Sequence, residues 1–220
     1  MGDPAVAQSM QRFSKEPVDM YGLKAPQVRK IIAAVVKTVR PWTSAELTRL
    51  CEELWKSGKF EEGGIAVETF ERASKSIGRR EFQLFEKWID RYVRNWGHCD
   101  ATSAHLVARA LQNEPQLVTR LRTWVKSPNR WKRRAASVSL VYSARRGEGT
   151  SDILRVSRVL LEDGDEMVQK GVGWLLKETY PKKPREVVRF LNEHKSRTTR
   201  LVLRYAAEKM TAADKATILG

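Results

Sequence analysis

The chain has 220 residues, 41% of them apolar, and its 41 Lys and Arg outnumber 26 Asp and Glu for a formal charge of +15. That length and apolar content exclude a disordered chain and suit one sizeable domain. The cation surplus exceeds what solubility requires and points to a polyanionic partner.

Two cysteines without metal-ligand spacing and only three histidines suggest neither a disulfide framework nor a zinc site, and fit a reducing cytoplasm. Residues 1–15 lack the basic, apolar and small-residue succession of a secretory signal. No apolar run approaches the roughly 20 residues that cross a bilayer. Residues 1–20 read as an N-terminal helix or arm on a single domain spanning 1–220.

Beyond that arm, apolar residues recur every three or four positions and strict alternation is absent, which predicts helices nearly throughout. Pro26 opens the first, with an apolar face of Val28, Ile31, Ile32, Val35 and Val36 that ends before Pro41. Thr43 and Glu46 form a capping box for the next, which carries Leu47, Leu50, Cys51, Leu54 and Trp55 before Gly58. Further helices are expected over about 62–77 and 80–94. Pro115, Pro128, Thr150, Asp165, Pro184 and Thr198 then each mark a helix start.

Many helices with short connections suggest stacked antiparallel pairs. Internal similarity agrees: Arg133-Arg134-Ala135-Ala136, Gln169-Lys170-Gly171-Val172 and Thr199-Arg200-Leu201-Val202 each open an apolar helix with a small or aliphatic pair after a basic residue. These degenerate repeats resemble HEAT units. Between Pro115 and Gly147 there is no acid, while Arg120, Arg122, Lys126, Arg130, Lys132, Arg133, Arg134, Arg145 and Arg146 are basic, a run expected to need an external anion. Basic residues spread over many helices favour duplex nucleic acid over a membrane surface.

No glycine-rich phosphate loop, metal motif or nucleophile elbow is present. One reaction needs little machinery: cleavage of the glycosidic bond to a base already cationic from alkylation. A single carboxylate can stabilise the oxocarbenium-like sugar and orient water, and indole faces add a favourable quadrupole. An acid among tryptophans and arginines occurs across Asn95-Trp96-Gly97-His98-Cys99-Asp100, Arg130-Trp131-Lys132-Arg133-Arg134-Ala135-Ala136 and Gln169-Lys170-Gly171-Val172-Gly173-Trp174.

These blocks, with Tyr21-Gly22-Leu23-Lys24-Ala25-Pro26-Gln27-Val28-Arg29, resemble the AlkD-like DNA alkylation repair family in order and separation. The resemblance implies an all-α fold, a right-handed superhelical solenoid of antiparallel HEAT-like helix pairs with a concave basic groove. It implies a monofunctional glycosylase, without cofactor or metal, acting on N3- and N7-alkylated purines in duplex DNA without base flipping. Asp100 matches the family's catalytic aspartate, Trp96 and Trp174 its two lesion-side tryptophans, and Arg134 the arginine that holds backbone near the cleavage site. Arg130, Arg133, Lys170, Lys177, Lys24 and Arg29 are the expected DNA contacts, with Arg130 and Arg134 one turn apart on a shared phosphate. A cytoplasmic, nucleoid-associated monomer is expected.

Read by themselves, the same residues allow plainer roles. Asp100, with Ser103 three positions on, is expected to cap a helix, which would favour its ionised form. Gly97, where many relatives are acidic, is expected to loosen or end the helix between Trp96 and Asp100. Trp55, Trp88 and Trp124 continue apolar faces and read as core, and Gly171 and Gly173 read as points of close helix approach. His98 and His105 fit no catalytic or metal spacing and read as solvated or hydrogen-bonded surface residues. Two other functions fit the charge: a non-catalytic helical-repeat protein binding damaged or branched DNA, and a scaffold for an acidic protein.

Overall fold

The computed structural model describes residues 2–220, and the described residues form helices and connections with no strand. In chain order the helices are α1 (Pro4–Gln11), α2 (Ala25–Val39), α3 (Ser44–Lys56), α4 (Phe60–Ala73), α5 (Arg79–Arg91) and α6 (Trp96–Ala101). A wide π turn, Thr102–Val107, joins α6 to α7 (Ala108–Asn113), and a 3-10 segment, Pro115–Arg120, leads into α8 (Leu121–Trp124). Then follow α9 (Arg130–Val138), α10 (Val141–Arg146), α11 (Thr150–Leu160), α12 (Glu166–Thr179), α13 (Pro184–His194), α14 (Arg200–Ala206) and α15 (Ala212–Leu219).

Local chemistry explains most of the helix starts. The Thr43 hydroxyl accepts the Glu46 N–H while the Glu46 carboxylate accepts the Thr43 N–H, the reciprocal pair its spacing predicts. Asp165 takes the N–H groups of Met167 and Val168 at the head of α12, and Pro184 opens α13 where a missing N–H costs nothing. Two of the expected helix starts move by one residue. Asn129 rather than Pro128 caps α9, and Thr199 rather than Thr198 caps α14, because the side chain that reaches the free N–H decides the start.

A larger correction concerns Asp100. The cap of its helix is Asn95, whose Oδ1 accepts the His98 N–H at 2.8 Å, so Asp100 lies inside the helix and caps nothing. Nor does Gly97 break the helix, which runs unbroken from Trp96 to Ala101. Beyond Asp100 the backbone widens into the π turn, where the Ser103 hydroxyl donates to the Cys99 carbonyl at 2.6 Å. Such turns insert a residue into the helical register and recur at functional sites.

One row of helices lies side by side through the molecule: α4 packs on α6, α6 on α9, α9 on α12 and α12 on α14. The other helices flank it, α3 against α4, α5 against α9, α10 and α11 against α12. Trp55, Trp88 and Trp124 are buried as expected, and Phe70 meets the rings of Phe85 and Trp88 edge-on, both at 5.3 Å. Edge-to-face pairs of this kind contribute about 0.5–1.5 kcal/mol beyond the area they bury. No described helix is long and apolar enough to cross a membrane.

The N-terminal arm is tied down by a buried acid. Glu61 accepts the N–H groups of Tyr21, Gly22 and Leu23 at 3.0, 2.8 and 3.0 Å. Gly22 turns there with φ +80, a left-handed conformation open to glycine, and its carbonyl accepts the Asp3 N–H at the head of α1. Lys59 then holds Asp19, Arg130 holds Glu16 and Lys15 pairs with Glu166, so the arm crosses from α4 to α12.

Candidate functional site

The row of helices brings Trp96 and Asp100 from α6, Arg134 from α9, Lys170 and Trp174 from α12, and Tyr205 from α14 to one open cleft of about 310 Å³. Phe13 from the arm, Met167 and Lys177 complete its lining. Trp96 and Asp100 share a face because four residues make about one helical turn. Two glycines let the facing helices close in. A Cβ on Gly173 would sit 2.4 Å from the Tyr205 Cβ, and one on Gly171 would sit 2.8 Å from the Ser137 hydroxyl and 3.2 Å from the Arg134 Cγ. The close approach expected of both glycines is therefore present, and it gives the Arg134 side chain its course along α12.

Arg134 spends its guanidinium inside the protein. Its Nε donates to one Asp100 oxygen at 2.7 Å and a terminal nitrogen to the other at 2.8 Å, while the remaining nitrogen donates to the Met167 carbonyl. Burial works against the Arg134 charge, but the hydrogen bonds and charge of Asp100 outweigh it and hold its pKa above the ordinary value. The Asp100 side chain keeps 17% exposure and Arg134 only 7%, so the carboxylate is the more open of the pair to the cleft. Arg134 and Arg130, expected to share a phosphate, thus have different partners: Arg130 binds Glu16 and Asp165 and lies 4.4 Å from the Trp131 ring centroid.

The two tryptophans differ from the buried ones. Trp96 is 38% exposed and its indole N–H donates to the Phe13 carbonyl at 3.0 Å. Trp174 is half-buried against the core. Phe13 is 73% exposed at the cleft mouth. Sequence reasoning missed Phe13, Met167 and Tyr205; the one signal was an isolated aromatic in the polar segment Arg12-Phe13-Ser14-Lys15.

Behind Trp96, Gly97 has a specific use. A Cβ there would lie 2.8 Å from the Phe60 ring, which stacks on His98 at 5.1 Å and 14°. His98 is buried rather than on the surface, bonded between the Phe60 carbonyl and the Asn95 amide, and burial lowers its pKa. His105 does lie at the surface, 3.1 Å from Glu71.

Of the other expected contacts, Lys170 pairs with Glu166 at 2.7 Å, Lys177 with Glu208 at 2.8 Å and Arg133 with Asp163 at 2.6 Å. Lys24 and Arg29 are exposed on or beside α2, away from the cleft. The acid-free run does not stand un-neutralised. Glu86, Asp90, Asp163, Asp100, Glu178 and Glu148 approach it from outside, and among the described residues only Arg122 and Lys126 of that run lack an ion pair. Arg120, Arg145 and Arg146 keep more than half of their side chains exposed, and exposed pairs of that kind are weak enough to exchange for phosphates.

The all-helical stack that carries this cleft is shared by a known structure. A solved structure described as a predicted DNA alkylation repair enzyme from Enterococcus faecalis superposes with a TM-score of 0.86 at 15% identity, over 96% of this chain and 98% of that one. The model of the DNA alkylation repair enzyme family matches residues 1–210, and the chain belongs to that family. No curated protein matches it.

Proposed function

We propose that this protein is a monofunctional glycosylase of base excision repair that releases cationic N3- and N7-alkylated purines from duplex DNA without drawing the base into a pocket. The observation that carries the reading is the Asp100 carboxylate, fixed by Arg134 and open to a cleft lined by Trp96 and Trp174.

The chemistry follows from charge. The bond from C1′ to the purine nitrogen breaks with its electron pair leaving on the base, which cancels the positive charge that alkylation placed there. The sugar becomes cationic, and a fixed carboxylate stabilises it without reorganising, because Arg134 holds both oxygens in one plane. Each oxygen retains a lone pair beyond the one given to Arg134. Water then adds at C1′, Asp100 orienting it and accepting its proton, which passes to solvent. Indole faces beside the sugar lower the same cationic state by about 1–2 kcal/mol.

The open cleft supports action without flipping, since a flipped base needs an enclosing pocket. Both lysines at the cleft are engaged by carboxylates, which supports hydrolysis over imine formation. The alternative, a non-catalytic binder of damaged DNA, rests on the same ion pair read as a clamp between α6 and α9. Incubation with duplex carrying N7-methylguanine separates the two: free base released by the parent supports the enzyme, and binding without release supports the clamp.

A further inference from the structure

Trp174 has two sides. One faces the cleft with Asp100, and the other lines a second cavity of about 520 Å³ between α7 and α10, where His105, Arg109, Tyr142 and Arg145 converge with Glu71. The two spaces therefore meet at one indole.

The second cavity is built for an anion. Arg109 is exposed and has no carboxylate partner among the described residues, only a bond to the Glu71 carbonyl at 3.3 Å. Arg145 meets Glu178 through its Nε at 3.0 Å, but Glu178 also serves Lys209 at 2.7 Å, so one carboxylate answers two cations. Arg145 keeps 57% of its side chain exposed. Glu71 is the one acid of the lining, and it already accepts from His105. Tyr142, 43% exposed, is part of the lining and carries a hydroxyl and a ring suited to a sugar-phosphate chain.

We infer that this cavity holds the DNA backbone flanking the lesion, with Arg109 and Arg145 on successive phosphates and Tyr142 against the sugar between them. The inference rests on the proposed function for its orientation, because the strand must run from Asp100 past Trp174. A free anion would engage the cations of one space, whereas a duplex backbone can reach both spaces across Trp174 while keeping its damaged nucleotide at the carboxylate.

Binding of an undamaged duplex, followed by fluorescence anisotropy across about 50–200 mM salt, tests it. Each cation lost from a phosphate lowers the slope of log affinity against log salt by about 1. The double variant Arg109→Gln, Arg145→Gln should bind at least tenfold more weakly at low salt with a slope shallower by about 2, and Arg109→Lys with Arg145→Lys should restore the slope. Arg145 touches a buried acid, so Arg109→Gln alone is the control for folding and should cost about 1. Unchanged affinity and slope in the Gln variants overturn the inference, whether or not the parent releases methylated base. Parent release of base without slope loss leaves the proposed enzyme standing and removes only this surface; slope loss without any release does the reverse. A parent that fails to bind duplex removes both.

Discussion

Arg134 grips Asp100 with two nitrogens of one rigid fork, at 2.7 and 2.8 Å, although 34 residues separate them in the chain. A guanidinium matches a carboxylate in plane and spacing where an ammonium cannot. Arg134→Lys keeps the charge and loses the fork. Its expected effect is a stability loss of about 1–2 kcal/mol, since part of a buried pair is left without a partner. Excision should fall at least tenfold as the carboxylate loses its orientation. Urea unfolding and single-turnover release measure the two, and a variant with the parent's rate would mean that the fork does not set the geometry.

Gly173 faces Tyr205 so closely that a methyl group cannot enter. Alanine in a helix gains about 1 kcal/mol over glycine, but a Cβ at 2.4 Å from another Cβ beside the backbone forces α14 outward. Overpacking of that kind costs about 1–3 kcal/mol. Gly173→Ala should therefore lower the melting temperature despite its better helix propensity, and reduce release by moving Trp174 and Tyr205 apart. A raised melting temperature would show that α12 and α14 are looser than described.

Trp96 joins the cleft to the arm. Trp96→Phe keeps a ring and deletes the hydrogen bond to Phe13, whereas Trp96→Ala deletes both. Both should speed tryptic cleavage at Arg12 and Lys15, and release should fall further in the alanine variant than in phenylalanine. Equal rates in the two would assign the indole to the arm alone.

His98 makes folding depend on pH. Burial lowers its pKa below the ordinary 6.5, so the unfolded chain binds a proton more readily than the folded one. Its contribution is fully present above pH 6.5 and is lost as pH falls through the lowered value. His105 works in the opposite sense: its hydrogen bond to Glu71 raises its pKa, so its stabilisation is present below 6.5 and fades as pH rises. His98→Gln should flatten the decline in urea midpoint below pH 6.5 relative to the parent. An equally steep decline in the variant would locate the acid sensitivity elsewhere.

Local chemistry was the legible part of this sequence. Thr43 with Glu46, Asp165 and Pro184 open helices where their side chains or ring dictate, and the buried tryptophans follow the apolar period. Asp100 misled because Asn95, five positions earlier, is an equally good cap, and a π turn continues the helix through a register that no apolar pattern announces. Gly97 misled for the opposite reason: the missing Cβ makes room for a ring from Phe60, a tertiary fact. The acid-free run looked costly because its carboxylates arrive from residues such as Asp163 and Glu178, about 30 positions away. Trp96, Asp100, Arg134 and Trp174 do meet in one cleft, yet their grouping was read from a family resemblance, since nothing in their spacing joins three separate helices.

The most direct measurement is release of N7-methylguanine from a duplex by the parent and by Asp100→Asn under saturating protein, with duplex affinity measured alongside. Asparagine keeps the shape and removes the charge, so release should fall by at least a hundredfold, about 2.7 kcal/mol of transition-state stabilisation, while binding stays within a few fold. Release by Asp100→Asn at the parent's rate would contradict the account, because the cationic sugar would then be stabilised without the carboxylate.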